Sequence, residues 1–302
     1  MVHLSEQTKN VLEGVNYRNN LLVVSSLKEF YHPIKSHGFA IKYVLNGVEH
    51  YTLNGQAYPV GAGNYLLSNN TSDGHVEIDK GEFVKGICIN IVPELLADVV
   101  ASRQRPDTAY PDANLGHFFS SHLFLEQQYS AANTHLGRLL QQLHTNFLQN
   151  DLLNSPIENE FFYTLSELII ADQIPIFKQL HSIPSLKSST KKDLYRRLHR
   201  GKECIDALFQ FPLSIETVAT EACLSEYHFF RLFKQVFGQT PHQYLHQKRL
   251  NHAVQLLSRE RASVTEAAVA SGFADIHSFS KAFKKHFGVS PTSWLQRESF
   301  QH

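Results

Sequence analysis

The chain is poor in cysteine, and the placement of its three thiols excludes more than their number does. Cys88, Cys204 and Cys223 form no C-x-x-C pair and have no zinc-ligand spacing. Each lies in an apolar or helical context, the setting of a buried thiol in a reducing compartment. That argues against a disulfide framework and against structural zinc. No apolar run approaches the length needed to cross a bilayer. Residues 1–20 are polar and carry no signal-peptide core, so the expected location is the cytoplasm. Net charge is also lacking, since 28 Lys+Arg balance 28 Asp+Glu. Taken whole, that balance argues against a nucleic-acid partner. Divided at Lys187, it argues for one. The part from Lys187 onward has 17 basic against 10 acidic residues, +7, and the part before it has 11 against 18, −7. A basic half joined to an acidic half suits a protein in which one part touches DNA and the other does not. At 302 residues two domains are expected.

What the chain does have is a pattern written twice between Leu224 and Trp294. Phe229, Arg231, Phe233, Lys234, Phe237, Gly238, Pro241 and Tyr244 are followed, each 50 residues later, by Phe279, Lys281, Phe283, Lys284, Phe287, Gly288, Pro291 and Trp294. A fixed period of this size marks a repeated supersecondary unit. In the second copy Ser263 and Glu266 make an S-x-x-E capping box. Ala267, Ala268 and Ala270 leave room for close packing, and Gly272 ends the helix with a left-handed cap. Phe279, Phe283 and Phe287 form an i, i+4, i+8 stripe. Gly288 then closes that helix, and Ser290-Pro291 opens the next. Thr240-Pro241 does the same in the first copy.

Two short helices across a tight turn make a helix-turn-helix, whose second helix enters the major groove with its early residues on base edges. The polar positions left by the phenylalanine stripe are His228, Arg231 and Lys234 in one copy. In the other they are His277, Ser280, Lys281, Lys284 and Lys285. Either helix alone reads as a solvated face; two copies with matching caps, stripe and basic positions favour phosphate contact. Tyr227, His228, Arg231, Ile276, His277, Ser280 and Lys281 are the candidates for bases or groove wall. Lys234, Lys284 and Lys285 are the candidates for phosphates.

These residues carry a resemblance. The segment from about Lys191 to Gln296 resembles the DNA-binding domain of the AraC/XylS family of bacterial transcription regulators. The motif appears as Gly272-Phe273, Phe279, Lys281, Phe283-Lys284, Phe287-Gly288 and Ser290-Pro291. The resemblance implies seven helices, two helix-turn-helix units and a linker helix between them, here from Pro241 to about Leu257. At 1.5 Å per residue that helix spans roughly 25 Å, suited to two recognition helices about one DNA turn apart. It also implies double-stranded DNA and RNA polymerase as partners, a homodimer, and an activating role. Departures are Cys223 in place of a turn glycine, which threatens to distort that turn, and Trp294 in place of tyrosine. Lys281 replaces the commoner arginine and cannot make the bidentate fork. Phe230 stands where a polar base reader is usual; it either meets a thymine methyl or is buried against a neighbour, and burial is favoured.

The first half reads as short strands. Leu21–Ser25 is apolar and β-branched, and Phe39, Ile41, Tyr43 and Leu45 alternate. Asn46-Gly47 and Asn54-Gly55 flank Val48–Leu53, each a hairpin signal. Ala57–Val60, Tyr65–Leu67 and Phe83–Val92 complete an antiparallel barrel or sandwich. Residues before about 20 read as an arm or a short helix. The stretch Asn46–Ser68, with the bend Pro59-Val60-Gly61-Ala62-Gly63-Asn64, resembles the cupin-like sensor barrel of the same regulators. Phe39, Ile41, Tyr43, Tyr51 and Tyr65 are the inward candidates for an effector pocket, although alternation does not separate lumen from outer core, and core is the simpler reading of each.

A metal-dependent cupin enzyme with a helical appendage is the rival reading. It needs an H-x-H pair, which is missing. His32 and His37 flank a turn, His75 shares a loop with Asp73, and with His50 they offer no ligand spacing. No catalytic residue, metal or cofactor is therefore assigned. A protein–protein adaptor is the third reading.

From Pro93 the pattern turns helical, 104–116 reads as a loop, and two amphipathic helices follow at Leu136–Phe147 and Phe161–Ile170. They either cover the barrel or pair two subunits, and the resemblance tips the balance to pairing. The expected architecture is a two-domain α+β chain. Residues 1–182 form a cupin-like sensor and dimerisation domain with helices at about 134–180. Residues 183–190 are a linker in a stretch rich in serine and proline that carries three lysines by Lys192. Residues 191–302 form an all-α DNA-binding domain with two helix-turn-helix units.

Overall fold

A computed structural model describes residues 2–5, 19–35, 37–103, 114–148, 158–259 and 262–298. By contact density the chain divides into two compact units, Met1–Lys178 and Gln179–His302.

The first unit is a near-closed β-barrel organised on one long strand, β7 (Asp73–Ile91). Strand β2 (Leu21–Lys35) runs antiparallel along one edge of β7 for its whole length. The other edge is shared by β3 (Phe39–Asn46), against residues 85–91, and β4 (Val48–Leu53), against residues 74–77. Strands β3 and β4 therefore follow one another along the same neighbour, and Asn46-Gly47 is a break in a bent strand rather than the expected hairpin. The break needs glycine twice over. Gly47 has φ +81°, and a Cβ there would lie 2.9 Å from the Val84 side chain. The Asn54-Gly55 expectation holds: β4 pairs with β5 (Gln56–Gly61) through Leu53 and Gln56, and both turn residues have positive φ, as a type I′ turn requires. Strand β6 (Asn64–Ser68) joins β3 to β8 (Gln127–Ser130).

Three further expectations are corrected in this unit. Residues 2–5 form a strand, β1 (Val2–Ser5), parallel to β2; residues 6–18 lie outside the described residues. His32 lies within β2, which runs ten residues beyond the expected strand end at Ser25, and does not flank a turn. His75 sits in β7 opposite Pro33 and Thr52, not in a loop. Both strands escape a simple alternation rule because each is irregular at one level. Glu29 bulges out of β2 with φ +42°, and residues 79–82 bulge out of β7 opposite it. A one-residue bulge flips side-chain parity. Val23, Ser25 and Leu27 before Glu29 thus share a face with Phe30, His32 and Ile34 after it, and all six line one cavity.

The helices of this unit are α1 (Pro93–Arg103), α2 (Leu115–Phe118), α3 (His135–Leu148) and α4 (Asn159–Ser182). Gly116 is helical where a loop was expected, and 104–113 lie outside the described residues. Phe39 meets Phe119 and Phe124 edge-on, and Phe118 meets Phe177 of α4. Asp172 of α4 accepts from the Leu136 N–H at 2.9 Å, at the start of α3. The apolar stripes Leu136-Leu140-Leu143 and Phe162-Leu165-Ile169 are buried within the chain. These faces are therefore covered by packing within the chain.

The second unit is helical: α5 (Ser188–Leu208), α6 (Ile215–Glu221), α7 (Glu226–Phe237), α8 (Pro241–Arg259), α9 (Val264–Ala270), α10 (Ile276–Phe287) and α11 (Pro291–Glu298). Helix α5 begins three residues before the expected start at Lys191. Phe229 and Phe233 of α7, and Phe279 and Phe283 of α10, are fully buried. At roughly 1.5–3 kcal/mol per buried side chain, these four rings are a large part of what holds the unit together.

Candidate nucleic-acid interface

Each helix-turn-helix is set by its caps. In the first, Ser214 accepts from the Thr217 N–H and Ser225 from the His228 N–H. In the second, Ser263 and Glu266 form the reciprocal capping box, and Asp275 accepts from the Ser278 N–H at 2.7 Å. The cap hydrogen bonds hold the Glu266 and Asp275 carboxyls below the usual carboxylate range. Both recognition helices end on a left-handed glycine, Gly238 and Gly288, whose N–H closes on the carbonyl of Lys234 or Lys284.

The two turns share one geometry. The Cys223 N–H donates to the Thr220 carbonyl and the Leu224 N–H to that of Ala219. Forty-nine residues on, the Gly272 N–H donates to Val269 and the Phe273 N–H to Ala268. Cys223 has φ +54° and Gly272 φ +81°. The turn at Cys223 is therefore intact and not distorted: the cysteine takes the left-handed conformation that glycine takes in the other copy. The second copy has one more residue between turn and recognition helix, so the repeat slips from 49 to 50 there.

Helix α8 spans about 28 Å for its 19 residues and is clamped to α5. Asp206 of α5 accepts from Tyr244 Oη at 2.7 Å and from Lys248 Nζ at 2.8 Å, while Lys202 bonds its other oxygen. Burial pushes the Asp206 carboxyl up, but those hydrogen bonds and the Lys202 charge outweigh it and hold the group low. Arg249 donates to the carbonyls of Phe209 and Phe211 just past the end of α5. At the start of α8, the Gln243 N–H donates to Thr240 Oγ1 and the Thr240 N–H to Gln243 Oε1.

Of the ten expected contact residues, Tyr227, Arg231, Lys234, Ile276, His277, Lys281, Lys284 and Lys285 are exposed, and His228 and Ser280 are half-buried. Tyr227 is 79 % exposed, a costly placement for an aromatic with no partner of its own chemistry. Phe230 is 37 % exposed, so the favoured burial is corrected: Phe229 and Phe233 fill the core side of α7 and leave Phe230 outside. Lys281 and Lys285 face Gln243, His246 and Gln247 of α8 across a groove of about 740 Å³. Those α8 side chains were not anticipated; the spacing from Gln239 through Gln243 to Gln247 is the helical signal that could have revealed them. Burial and the neighbouring Arg249 and His242 hold the His246 imidazole below its usual range.

The barrel of the first unit holds a second candidate site. A cavity of about 90 Å³ is lined by the apolar residues noted above and by Ser25, His32, Lys42, Glu49, Tyr51 and Cys88. Of the five expected pocket residues only Tyr51 lines it. Phe39 packs in the aromatic cluster, and Tyr65 stacks on Tyr129 and donates to Thr134 Oγ1 at 2.9 Å. Ile41 and Tyr43 pair with Leu67 and Tyr65 on that same face. The period of two grouped these residues correctly but did not tell lumen from outer wall, and Lys42 and Val44 are the β3 residues that look inward. Burial pushes the Glu49 carboxyl up against the opposing hydrogen bond from Tyr51 and the Lys42 charge. Gly86 makes room for it, since a Cβ there would lie 2.9 Å from Glu49 Oε1. Among the described residues no group of histidine, cysteine, aspartate or glutamate side chains is placed to hold a metal ion.

Residues 218–297 match the family model described as a helix-turn-helix domain, and residues 29–166 match that of the AraC-like ligand binding domain. The chain is 32 % identical over 84 residues to the probable transcription factor PqrA of Proteus vulgaris, covering 28 % of this chain and 69 % of that protein. The chain belongs to the AraC family. Other relatives within reach of this AraC-family chain are the probable transcriptional regulator LumQ of Photobacterium leiognathi and the regulator AlkR of Acinetobacter baylyi. LumQ is 37 % identical over 90 residues, 30 % of this chain and 36 % of that protein. AlkR is 33 % identical over 104 residues, 34 % of each chain. The AraC-family match to these relatives spans about a third of their length. No helix among the described residues is long and apolar enough to cross a membrane.

Proposed function

We propose that the protein is a cytoplasmic, sequence-specific transcription regulator that binds double-stranded DNA through both helix-turn-helix units and acts as an activator. The observation that carries this reading is the pair of capped recognition helices, α7 and α10, each with a buried phenylalanine stripe and an exposed basic face. Residues 191–302, with the first turn of α5 from Ser188 before them, are the DNA-binding domain, 183–187 the linker and 1–182 the sensor domain. Tyr227, His228, Arg231, Ile276, His277, Ser280 and Lys281 face bases or the groove wall, and Lys234, Lys284 and Lys285 reach phosphates. The barrel cavity takes a small-molecule effector and performs no catalysis. The protein works as a homodimer and engages RNA polymerase. Its dimer contact uses faces other than the filled stripes of α3 and α4. An effector changes DNA binding only through a difference in affinity between two states.

Titration of a promoter fragment and of random duplex against salt tests the reading. Lys284→Gln is expected to weaken both DNAs alike and to lower the slope of log K against log salt by about one. Arg231→Ala is expected to lose about 1–3 kcal/mol on the cognate site alone. Equal loss on random duplex would remove base reading by Arg231. Unchanged binding in both variants would remove the DNA assignment of these helices.

A further inference from the structure

We propose that Lys42 and Cys88 form a peroxide-responsive covalent pair on the wall of the barrel cavity, joined through a single oxygen atom between Nζ and Sγ. The two residues stand directly opposite each other in the antiparallel register of β3 and β7. Directly opposed side chains on adjacent strands share a face of the sheet, and both of these line the cavity. The lysine, long enough to reach well past its neighbour, folds back so that Nζ lies 2.7 Å from Cys88 Sγ. That is the separation of an N–H···O hydrogen bond. Sulfur is larger than oxygen, so nitrogen and sulfur are nearer here than an N–H···S contact brings them. One oxygen atom bonded to both would hold them at about this distance with no movement of either strand.

The surroundings supply what the chemistry needs. Glu49 lines the same cavity, is fully buried, and feels the Lys42 charge. Its carboxylate shares the cavity with the ammonium and is the group that would take a proton from it to leave a neutral amine. Tyr51 donates to Glu49 and holds it in the cavity. Cys88 is half-buried and lines the cavity, which leaves its sulfur open to a small oxidant.

The oxidant is hydrogen peroxide, two equivalents per link. In the first step the thiolate sulfur attacks one peroxide oxygen. An S–O bond forms, the O–O bond breaks, and water leaves, giving a sulfenic acid. In the second step an N–O bond forms between the Lys42 amine and that oxygen. The amine and the sulfenic hydroxyl each give up one hydrogen, and the second peroxide takes up both with their electrons and becomes two waters. Thiol, amine and two peroxides thus give one N–O–S link and three waters, with four electrons passing to peroxide. Two equivalents of a dithiol return those electrons and restore thiol, amine and one water. The link differs from ordinary sulfenic acid chemistry in capturing the sulfur before it advances to the irreversible acids.

Mass spectrometry on the full chain tests this and keeps it separate from any DNA readout. The protein is treated with hydrogen peroxide and cleaved at glutamates, of which Glu49, Glu77 and Glu82 lie between the two residues. The expected product is a joined peptide pair containing Lys42 and Cys88, heavier than the sum by one oxygen and lighter by two hydrogens, which dithiothreitol separates. Lys42→Arg keeps the charge and is expected to abolish the pair while leaving Cys88 open to sulfinic acid. The exposed Cys223 serves as the internal reference, because it has no lysine at its sulfur among the contacts of the described residues. Cys88 recovered as sulfenic or sulfinic acid with Lys42 unmodified would overturn the proposal. So would a pair lighter than the sum by two hydrogens with no added oxygen, or an unreacted Cys88 in a protein whose Cys223 is oxidised.

Discussion

The two helix-turn-helix units solve one backbone problem with different residues, and the difference is explained by what stands beside each turn. Both turns place one residue in the left-handed region, Cys223 in the first and Gly272 in the second. A Cβ at Gly272 would meet the carbonyl oxygens of Phe209 and Gln210 at 2.6 and 2.8 Å. Cys223 is exposed, and its carbonyl accepts from Arg197. The second turn therefore needs glycine for conformation and for space, whereas the first needs only the conformation and tolerates a side chain at the cost of local strain. The recognition helices differ too. Helix α7 carries Arg231 and Lys234 against Glu226, with Tyr227 and Phe230 exposed. Helix α10 carries three lysines and no acid. On the proposed DNA-binding reading, the first helix suits shape and base edges and the second suits phosphate.

The largest test of this comparison is in the cores. Phe229→Ala and Phe279→Ala remove fully buried rings and are each expected to cost about 3–5 kcal/mol of unfolding free energy, read by denaturant titration. A cost confined to one of them would show that the units do not share a core design. Next comes Gly272→Ala, where left-handed strain and the carbonyl clash together are expected to cost about 2–4 kcal/mol. Cys223→Ala, by contrast, is expected to shift the midpoint by no more than about 0.5 kcal/mol. Similar losses at both positions would break the explanation of why one turn keeps glycine.

Acid sharpens the comparison further. His199 of α5 packs on Phe237 of the first helix-turn-helix and bonds Tyr195 Oη at 2.9 Å. Burial and the Lys202 charge lower its pKa to about 4. The folded value lies below the unfolded one, so the stabilising contribution is complete above about pH 6.5 and is lost as pH falls toward 4. The loss is at most about 3 kcal/mol. Amide exchange is expected to rise in α5 and α7 over that window before it rises in α10, and His199→Gln is expected to remove the difference. Simultaneous loosening of both units would count against it. The smallest effect is Cys223→Gly, which relieves strain but adds freedom to the unfolded chain. It is expected to raise the midpoint by less than about 1 kcal/mol, and a clear loss would mean that the cysteine side chain supports the turn.

Much of the second unit was legible because its information is local. Caps at Thr240, Ser263 and Ser290, glycines at the helix ends, and phenylalanines four residues apart each act within a turn or two of helix. The first unit was read less well because its information is relational. Nothing near Asn46-Gly47 says that β3 and β4 share β7 as a neighbour, and nothing near Glu29 announces the bulge that restores parity in β2. The cavity was missed for a related reason. Lys42 and Glu49 are charges inside strand-like runs, and such residues are inward-facing only when a lumen exists to receive them. Aromatic residues were the expected lining, yet Phe39 and Tyr65 are large enough to be drawn into the outer aromatic cluster instead.

The clamped helix α8 has one more consequence. Because it is continuous and tied to α5 by Tyr244, Lys248 and Arg249, it transmits rotation as rigidly as distance. Each residue inserted into it would turn everything beyond by about 100° while lengthening it by only about 1.5 Å. On the proposed DNA-binding reading, the spacing between half-sites would be registered as an angle, and sites differing by a few base pairs would meet the protein with a phase error long before they met it with a gap.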